Sequence, residues 1–187
     1  MVNANIQTGQ HDRRSIRLTD YDYSKEGGYF VTVCTQNRQL WLDIGQIRDI
    51  ARRQWMWLAE RHAYVKLDAF VIMPNHIHGI LVLCDDGEGG SRTAPTKRKS
   101  LGRLVGAFKT TSAKAIHHAG YHAFAWQRNY YERVIRDEKE LVRIREYIAG
   151  NPLQWASDRE NPESMNYNMD YETYMDGIYV GGPRKQS

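Results

Sequence analysis

The chain has 187 residues, 41% of them apolar and only 5 of them proline, so it can bury the core of one compact domain. This length and composition exclude a peptide hormone, a fibrous repeat protein and a large multidomain assembly. The charge is uneven: residues 1–155 hold 23 basic and 16 acidic side chains, whereas residues 156–187 hold 3 and 6. The sequence therefore predicts one basic domain over residues 1–155 and an acidic, tyrosine-rich tail over residues 156–187.

In the first half of the chain, the residue pattern predicts three strands and one helix. Residues 28–35 are aromatic and β-branched after a Gly-Gly break, as in a buried strand. Residues 44–61 carry apolar side chains at helical spacing with charged residues between them, which predicts an amphipathic helix. Residues 65–73 and 76–83 are two further strands parted by a Pro-Asn pair, which predicts a hairpin.

In the second half, a loop precedes two helices and a short strand. Residues 85–100 combine glycine, proline and charge, which predicts a mobile basic surface loop. Helical periodicity resumes over residues 101–118, residues 130–135 form a strand, and residues 137–150 form a helix that Pro152 ends. The order β-α-β-β-α-β-α predicts an α+β fold, with a ferredoxin-like (split βαβ) antiparallel sheet and helices packed on it.

The cysteines and the hydropathy indicate the cellular compartment. Cys34 and Cys84 lie in apolar runs without the spacing of a zinc or redox motif, which is typical of free thiols in a reducing compartment. No apolar run approaches the roughly 18 residues of a membrane helix, and residues 1–10 lack the hydrophobic stretch of a signal peptide. We expect a soluble cytoplasmic protein with no membrane partner.

Two histidines at the start of the second hairpin strand are the sharpest chemical feature. Alternate residues of a strand point to the same face, so His76 and His78 present their imidazoles side by side. This arrangement suits a metal ion, but two polar residues on an exposed strand face produce the same spacing. A further ligand is needed to decide between the two interpretations.

The last predicted helix offers that ligand. Tyr147 and Asn151 are four residues apart, so both look at the same spot if the helix persists to its end. An amide oxygen is a donor that Mg²⁺ or Mn²⁺ accepts, although imidazole pairs also suit softer metals. Alternatively, Tyr147 lies at the edge of the core and Asn151 merely caps the helix before Pro152.

A long stretch without acidic residues predicts contact with nucleic acid. Residues 91–123 include seven basic side chains and no acidic one, which phosphate binding explains better than a solvated surface does. Affinity for DNA should then fall steeply with salt, because binding releases counterions. The candidate DNA-binding residues in this stretch are Lys97, Arg98, Lys99, Arg103, Lys109 and Lys114.

Seven stretches, spread in this order over roughly residues 13–155, form a recognisable set: RRSIRL (13–18), GYFVTVCT (28–35), MPNHIH (73–78), VGAFK (105–109), WQRNYY (126–131), IRDE (135–138) and YIAGNP (147–152). The set resembles the single-tyrosine HUH transposases of small insertion sequences, and in particular their REP-associated relatives. The resemblance implies a catalytic domain with a ferredoxin-like sheet, in agreement with the element order.

The resemblance also implies the chemistry. His76 and His78 would be metal ligands, Asn151 would complete the metal site, and Tyr147 would be the nucleophile, with Mg²⁺ or Mn²⁺ as the cofactor. The enzyme would nick single-stranded DNA at hairpin sites and transfer the strand through a 5′-phosphotyrosine. Arg14 and Arg17 would read bases next to a hairpin. Insertion-sequence members act as homodimers, whereas REP-associated members can work as monomers.

Two other functions remain open on the same sequence. One is a hairpin-DNA or RNA binding protein without catalysis, since RNA-binding sheets share this element order. The other is a metal hydrolase that uses activated water. The acidic tail adds a further hypothesis: it could imitate DNA and lie over the basic surface, although an acidic end is more often a solvated appendage.

Overall fold

The fold is described by a computed structural model of the chain that covers residues 21–84, 99–167, 169, 170, 173 and 174. Its main elements are β1 (Gly27–Cys34), α1 (Gly45–Arg61), β2 (Val65–Ile72), β3 (His76–Leu83), α2 (Leu101–His118), β4 (Tyr131–Ile135) and α3 (Glu138–Gly150). Three short 3₁₀ helices connect them or extend them, at Gln36–Arg38, Trp41–Asp43 and Asn151–Ser157.

The four strands form one antiparallel sheet in the order β2-β3-β1-β4. This order and the two helical crossovers confirm the predicted α+β, ferredoxin-like fold. The two central strands are β1 and β3, and their register pairs Thr32 with His78 and Cys34 with His76. The histidine pair is therefore held by the most central strands of the sheet.

Helices α1 and α2 cover one face of the sheet and form the larger core. Trp55 of α1 is fully buried and meets Phe108 of α2 edge to face, with ring centroids 5.2 Å apart. Gly79 of β3 lies directly beneath this tryptophan, because a Cβ added there would lie 2.5 Å from Trp55 Cζ2. The glycine thus permits the close approach of helix and sheet.

Helix α3 covers the opposite face, where the histidines lie. Ile144 and Ile148 pack with Phe30 and Ile80 in a second, smaller cluster of buried residues. At the exposed surface, Arg145 of α3 makes two hydrogen bonds to the Asp68 carboxylate of β2, at 2.9 and 2.7 Å. These contacts fix the position of α3 above the sheet.

Helix α3 ends two residues before Pro152, as the sequence predicts, but a helical path of another type continues beyond it. Helix α3 ends at Gly150, but the 3₁₀ helix Asn151–Ser157 follows without a break and has Pro152 in its first turn. A proline is compatible with a first turn, where its missing N–H has no helical partner in any case. Asn151 has α-helical backbone angles, so the face that carries Tyr147 continues beyond α3.

Several predicted features lie outside the described residues: Arg14, Arg17, Lys97, Arg98 and nearly all of the 85–100 loop. The division into a domain over residues 1–155 and a tail stays a prediction. Among the described helices, none has both the length and the apolar character to cross a bilayer.

Candidate metal and tyrosine site

The two histidines are buried under α3. His76 is 0% and His78 is 1% exposed, and their ring centroids lie 4.3 Å apart. The interpretation of an exposed, solvated strand face is therefore wrong. Strand alternation alone places the two rings together, but the burial comes from α3 and the chain that follows it.

Asn75 sets the orientation and tautomer of His76. The Asn75 side-chain amide donates to the backbone carbonyls of Arg38 and Glu160, at 3.2 and 2.8 Å. Its carbonyl oxygen consequently faces His76 Nδ1, 2.8 Å away, and accepts that ring hydrogen. The other ring nitrogen, Nε2, then carries the lone pair, as a metal ligand requires.

His78 is held between two hydroxyl groups. Thr32 Oγ1 lies 2.8 Å from His78 Nδ1, and the Tyr147 hydroxyl lies 3.0 Å from His78 Nε2. Burial, with the nearby Arg38 and Arg159, holds the pKa of His76 well below its ordinary value. Burial and the neighbouring His76 do the same for the pKa of His78. Both imidazoles are therefore neutral near pH 7, the form that binds metal.

Three side chains at four-residue spacing lie along α3 and the 3₁₀ helix that follows it, and two of them contact the histidines. Tyr147 contacts His78, and the ring centroid of Trp155 lies 6.1 Å from that of His76. Asn151, between them on the same face, is 1% exposed, and its Oδ1 has no hydrogen-bond partner. The structure thus brings Tyr147 to the histidine pair and buries the Asn151 amide oxygen without a partner.

Asp158 also lies beside the histidines, which the sequence did not predict. Its Oδ2 lies 3.8 Å from His76 Nε2, and its Oδ1 accepts the backbone N–H of Glu160 at 2.6 Å. Ligand atoms of His76, His78 and Asp158 all lie within 4.8 Å of one another. In the sequence, Asp158 is one of six acids in the tail, and no pattern distinguishes it from the other five.

The donor atoms of this site fit a metal ion. His76 Nε2, Asn151 Oδ1 and Asp158 Oδ2 are buried without a hydrogen-bond partner among the described residues. Such atoms are unfavourable in a protein interior unless something binds them. A bound cation would satisfy the two of these atoms that belong to the His-His-Asp group, His76 Nε2 and Asp158 Oδ2, so this buried group could hold a metal ion.

Charged residues buried behind the site join it to the end of β1. The Glu160 carboxylate pairs with the Arg38 guanidinium and lies 3.4 Å from that of Arg159. Cys34 Sγ lies 3.7 Å from Glu160 Oε2, and burial holds the pKa of this thiol above its ordinary value. Residues 158–161 are thus part of the packed structure rather than a solvated appendage.

Tyr174 closes the site from the side of the acidic tail. It packs against the small cluster under α3, and its hydroxyl hydrogen-bonds with Tyr147. Burial raises the pKa of Tyr174 to about 12. With Tyr174 in place, Tyr147 is only 7% exposed.

The predicted DNA-binding residues of the described chain fall into two groups. Lys99, Arg103 and Lys114 are exposed. Lys109 is half-buried instead, and its ammonium donates to the backbone carbonyls of residues 127, 128 and 129, at 2.9, 3.3 and 3.1 Å. Burial lowers the pKa of Lys109 to about 8. DNA contact by these residues stays a prediction.

The chain is similar in sequence to two proteins of Haemophilus influenzae. No family model matches the chain. An uncharacterised protein of Haemophilus influenzae is 34% identical over 169 residues, which span 81% of this chain and 94% of that protein. A second Haemophilus influenzae protein, named as a candidate REP-associated tyrosine transposase, is 26% identical over 136 residues, 71% of this chain and 74% of its own.

Two solved structures are also similar. The structure of a REP-associated tyrosine transposase bound to a REP hairpin superposes with a TM-score of 0.54 at 24% identity, over 74% of this chain and 73% of that one. A structure described as a candidate transposase from Deinococcus radiodurans has a TM-score of 0.42 at 19% identity, over 72% and 95% of the two chains.

The fold is thus that of the hairpin-bound tyrosine transposase, and the paired histidines face a tyrosine-bearing helix. The resemblance to the REP-associated tyrosine transposases that the motifs indicate is confirmed. By sequence, the chain belongs to one family with the uncharacterised Haemophilus protein.

Proposed function

We propose that this protein is a metal-dependent enzyme that nicks and rejoins single-stranded DNA at hairpin sites, with Tyr147 as the nucleophile. The observation that carries the proposal is the 3.0 Å contact between the Tyr147 hydroxyl and His78 Nε2, within a buried cluster of metal-ligand atoms. The REP hairpin bound by the similar transposase supports hairpin DNA as the substrate. Binding alone would not require a buried tyrosine beside two neutral imidazoles.

The reaction exchanges one phosphate ester for another. The Tyr147 oxygen attacks phosphorus and loses its proton, while the bond to the 3′-oxygen breaks and that oxygen gains a proton. The products are a 5′-phosphotyrosine and a free 3′-hydroxyl. Attack of another 3′-hydroxyl on the phosphotyrosine rejoins strands without ATP, because the number of ester bonds is conserved.

A phenol with an ordinary pKa of about 10 is a weak nucleophile at neutral pH, so its surroundings must help. His76 and His78 would hold a divalent ion together with the oxygens of Asn151 and Asp158, a mixed donor set that suits Mg²⁺ or Mn²⁺. When bound, the ion would polarise the scissile phosphate and offset the charge that develops on it. Asn75 and Thr32 keep the two imidazoles in the required orientation.

The test is the formation of a covalent protein–DNA adduct. Incubation with a labelled hairpin oligonucleotide and Mg²⁺ or Mn²⁺ should give an adduct that survives boiling in detergent. The Tyr147→Phe variant should form none, whereas the Tyr121→Phe variant, altered on α2's side of the sheet, should match the wild type. Hairpin binding that is indifferent to EDTA and to His76→Ala, with no strand cleaved, would instead identify a binding protein without catalysis.

A single chain should suffice for this activity. Tyr147 contacts the histidine of its own chain, and the Asp68–Arg145 hydrogen bonds hold its helix there. A mixture of the Tyr147→Phe and His76→Ala proteins should therefore stay inactive. Recovery of adduct in the mixture would mean that the tyrosine helix is exchanged between subunits.

We expect Tyr174 to move aside when DNA reaches Tyr147, because Tyr147 is only 7% exposed and its hydroxyl hydrogen-bonds with that of Tyr174. The Tyr174→Ala variant should form adduct faster than the wild type, and Thr173→Ala, a change at the exposed neighbour, should not. Equal rates for Tyr174→Ala and the wild type would show that this contact does not limit access. Deletion of the whole tail is a poor test, because Asp158 and Glu160 are buried.

A further inference from the structure

A cavity of about 480 Å³ lies beside the site, between the end of β1 and the segment before β4. Its volume is in the range of small-ligand sites, roughly 300–1,000 Å³. The lining combines two aromatic rings with amide and guanidinium groups, which are the side chains that stack on unpaired bases and read their edges. The lining residues are Gln36, Asn37, Arg38, Trp126, Gln127, Arg128 and Tyr167.

One wall of the cavity is connected to the metal-ligand cluster. The backbone carbonyl of Arg38 accepts a hydrogen bond from Asn75, and Asn75 in turn orients His76. The Arg38 guanidinium pairs with Glu160 and donates to the Gln127 side chain. The cavity wall and His76 are thus joined through a single residue, Asn75.

This wall is also held in an unusual backbone conformation. Asn37 and Arg38 have φ angles of 53° and 56°, in the left-handed region that non-glycine residues rarely adopt. Such conformations persist where surrounding contacts impose them, and they concentrate at ligand-binding sites. Here they turn the Arg38 side chain inward while Gln36 and Asn37 stay exposed at the rim.

Lys109 holds the opposite wall. Its three hydrogen bonds to the carbonyls of residues 127–129 shape the segment that carries Arg128. The Trp126 ring is anchored by a 2.9 Å hydrogen bond from its Nε1 to Ser112 Oγ. Arg128 is exposed, and no carboxylate of the described residues forms an ion pair with it, so it can meet a phosphate.

We infer that this cavity receives one unpaired base of the DNA strand next to the scissile phosphate. The base stacks on Tyr167, the exposed ring of the two, its edge faces the amides of Gln36 and Asn37, and the adjoining phosphate lies on Arg128. This inference rests on the proposed function for the identity of the ligand. It adds a base-reading site to the one that the resemblance implies at the N-terminal arginines.

The experiment measures binding without chemistry. A fluorescent hairpin oligonucleotide with single-stranded flanks is made abasic at one flank position at a time, and its Kd is measured by anisotropy in EDTA. For the wild type, we expect one position at which base removal raises the Kd about 10-fold, the order expected for one stacked base. The Gln36→Ala/Tyr167→Ala double variant should bind the intact and abasic strands alike.

The Arg53→Ala variant is the control for Arg128→Ala, because both remove one exposed guanidinium and Arg53 lies on α1. Only Arg128→Ala should weaken binding beyond the general loss of one charge. A wild type without any sensitive position, or a double variant as sensitive as the wild type, would overturn the inference. A sensitive position in a protein that never forms adduct would contradict the proposed function alone, and absence of all hairpin binding would overturn both.

Discussion

Replacement of Asp158 by asparagine tests whether the tail residue is a metal ligand. The amide keeps the shape of the side chain, and its oxygen can still accept the Glu160 N–H, so the local fold should persist. Without metal, the carboxylate oxygen that faces neutral His76 has no partner among the described residues. We therefore expect the Tm of Asp158→Asn in EDTA to be no lower than that of the wild type.

With metal bound, the Tm of the wild type should be higher than that of Asp158→Asn. An ion at 100 times its Kd stabilises the wild-type protein by about 2.7 kcal/mol. Loss of a residue that only hydrogen-bonds a metal ligand typically weakens metal binding about 10-fold. Loss of a direct ligand should therefore weaken metal binding at least as much. The same concentration then stabilises the variant by only about 1.4 kcal/mol. At roughly 2–4 °C per kcal/mol for a protein of this size, the metal-induced rise in Tm should be about half as large.

The assay is thermal unfolding across a Mn²⁺ titration, with no DNA present. Glu163→Gln, which removes an exposed charge from the same segment, is the matched control and should behave as the wild type does. The His76→Ala variant should show almost no metal-induced shift. If Asp158→Asn shifts as far as the wild type, Asp158 is not a ligand, and if His76→Ala does so, the metal binds elsewhere.

Three further outcomes follow from contacts away from the site. Gly79→Ala should lower the free energy of unfolding, measured by urea titration, by roughly 1–3 kcal/mol, because the new methyl group collides with Trp55. An unchanged unfolding midpoint would refute this close packing. Arg145→Ala should lower the free energy of unfolding by less than Gly79→Ala does, since the pair with Asp68 is partly exposed. Arg145 is the main cause that lowers the pKa of Asp68, so this contribution is complete above about pH 5 and is lost as the pH falls through the lowered pKa. If the free energies of unfolding of the wild type and Arg145→Ala still differed at pH 2, the ion pair with Asp68 would not be the cause of the difference. Arg103→Ala should reduce the slope of log K against log[salt] for hairpin binding by about one, and an unchanged slope would remove this residue from the DNA surface.

Local patterns in the sequence predicted the elements well. Apolar spacing placed a helix at residues 101–118, and the structure has α2 at Leu101–His118. Strand alternation correctly placed His76 and His78 on one face, and helical spacing brought Tyr147 and Asn151 to one side of α3. These features depend on residues a few positions apart, whose geometry is set by the backbone itself.

The tertiary contacts of charged side chains were harder to predict from the sequence. Lys109 belongs to an acid-free run that suggested contact with phosphates, yet its hydrogen bonds are made to residues 127–129. The acids of the tail suggested a solvated end, yet Asp158 and Glu160 are buried beside the histidines. The sequence does not show which residues pair with a charged side chain in the folded protein, because those residues come from a distant part of the chain.

By itself, the sequence determined the order of the elements, the histidine pair and the tyrosine four residues before an asparagine. The tertiary structure decided that the pair is buried, that Asp158 and Tyr174 close over it, and that Asn75 and Arg38 link it to a cavity. The physical reason is the separation along the chain between the residues that interact. Backbone periodicity is encoded in neighbouring residues, whereas burial and ligand sets arise only when the sheet brings separate segments into contact.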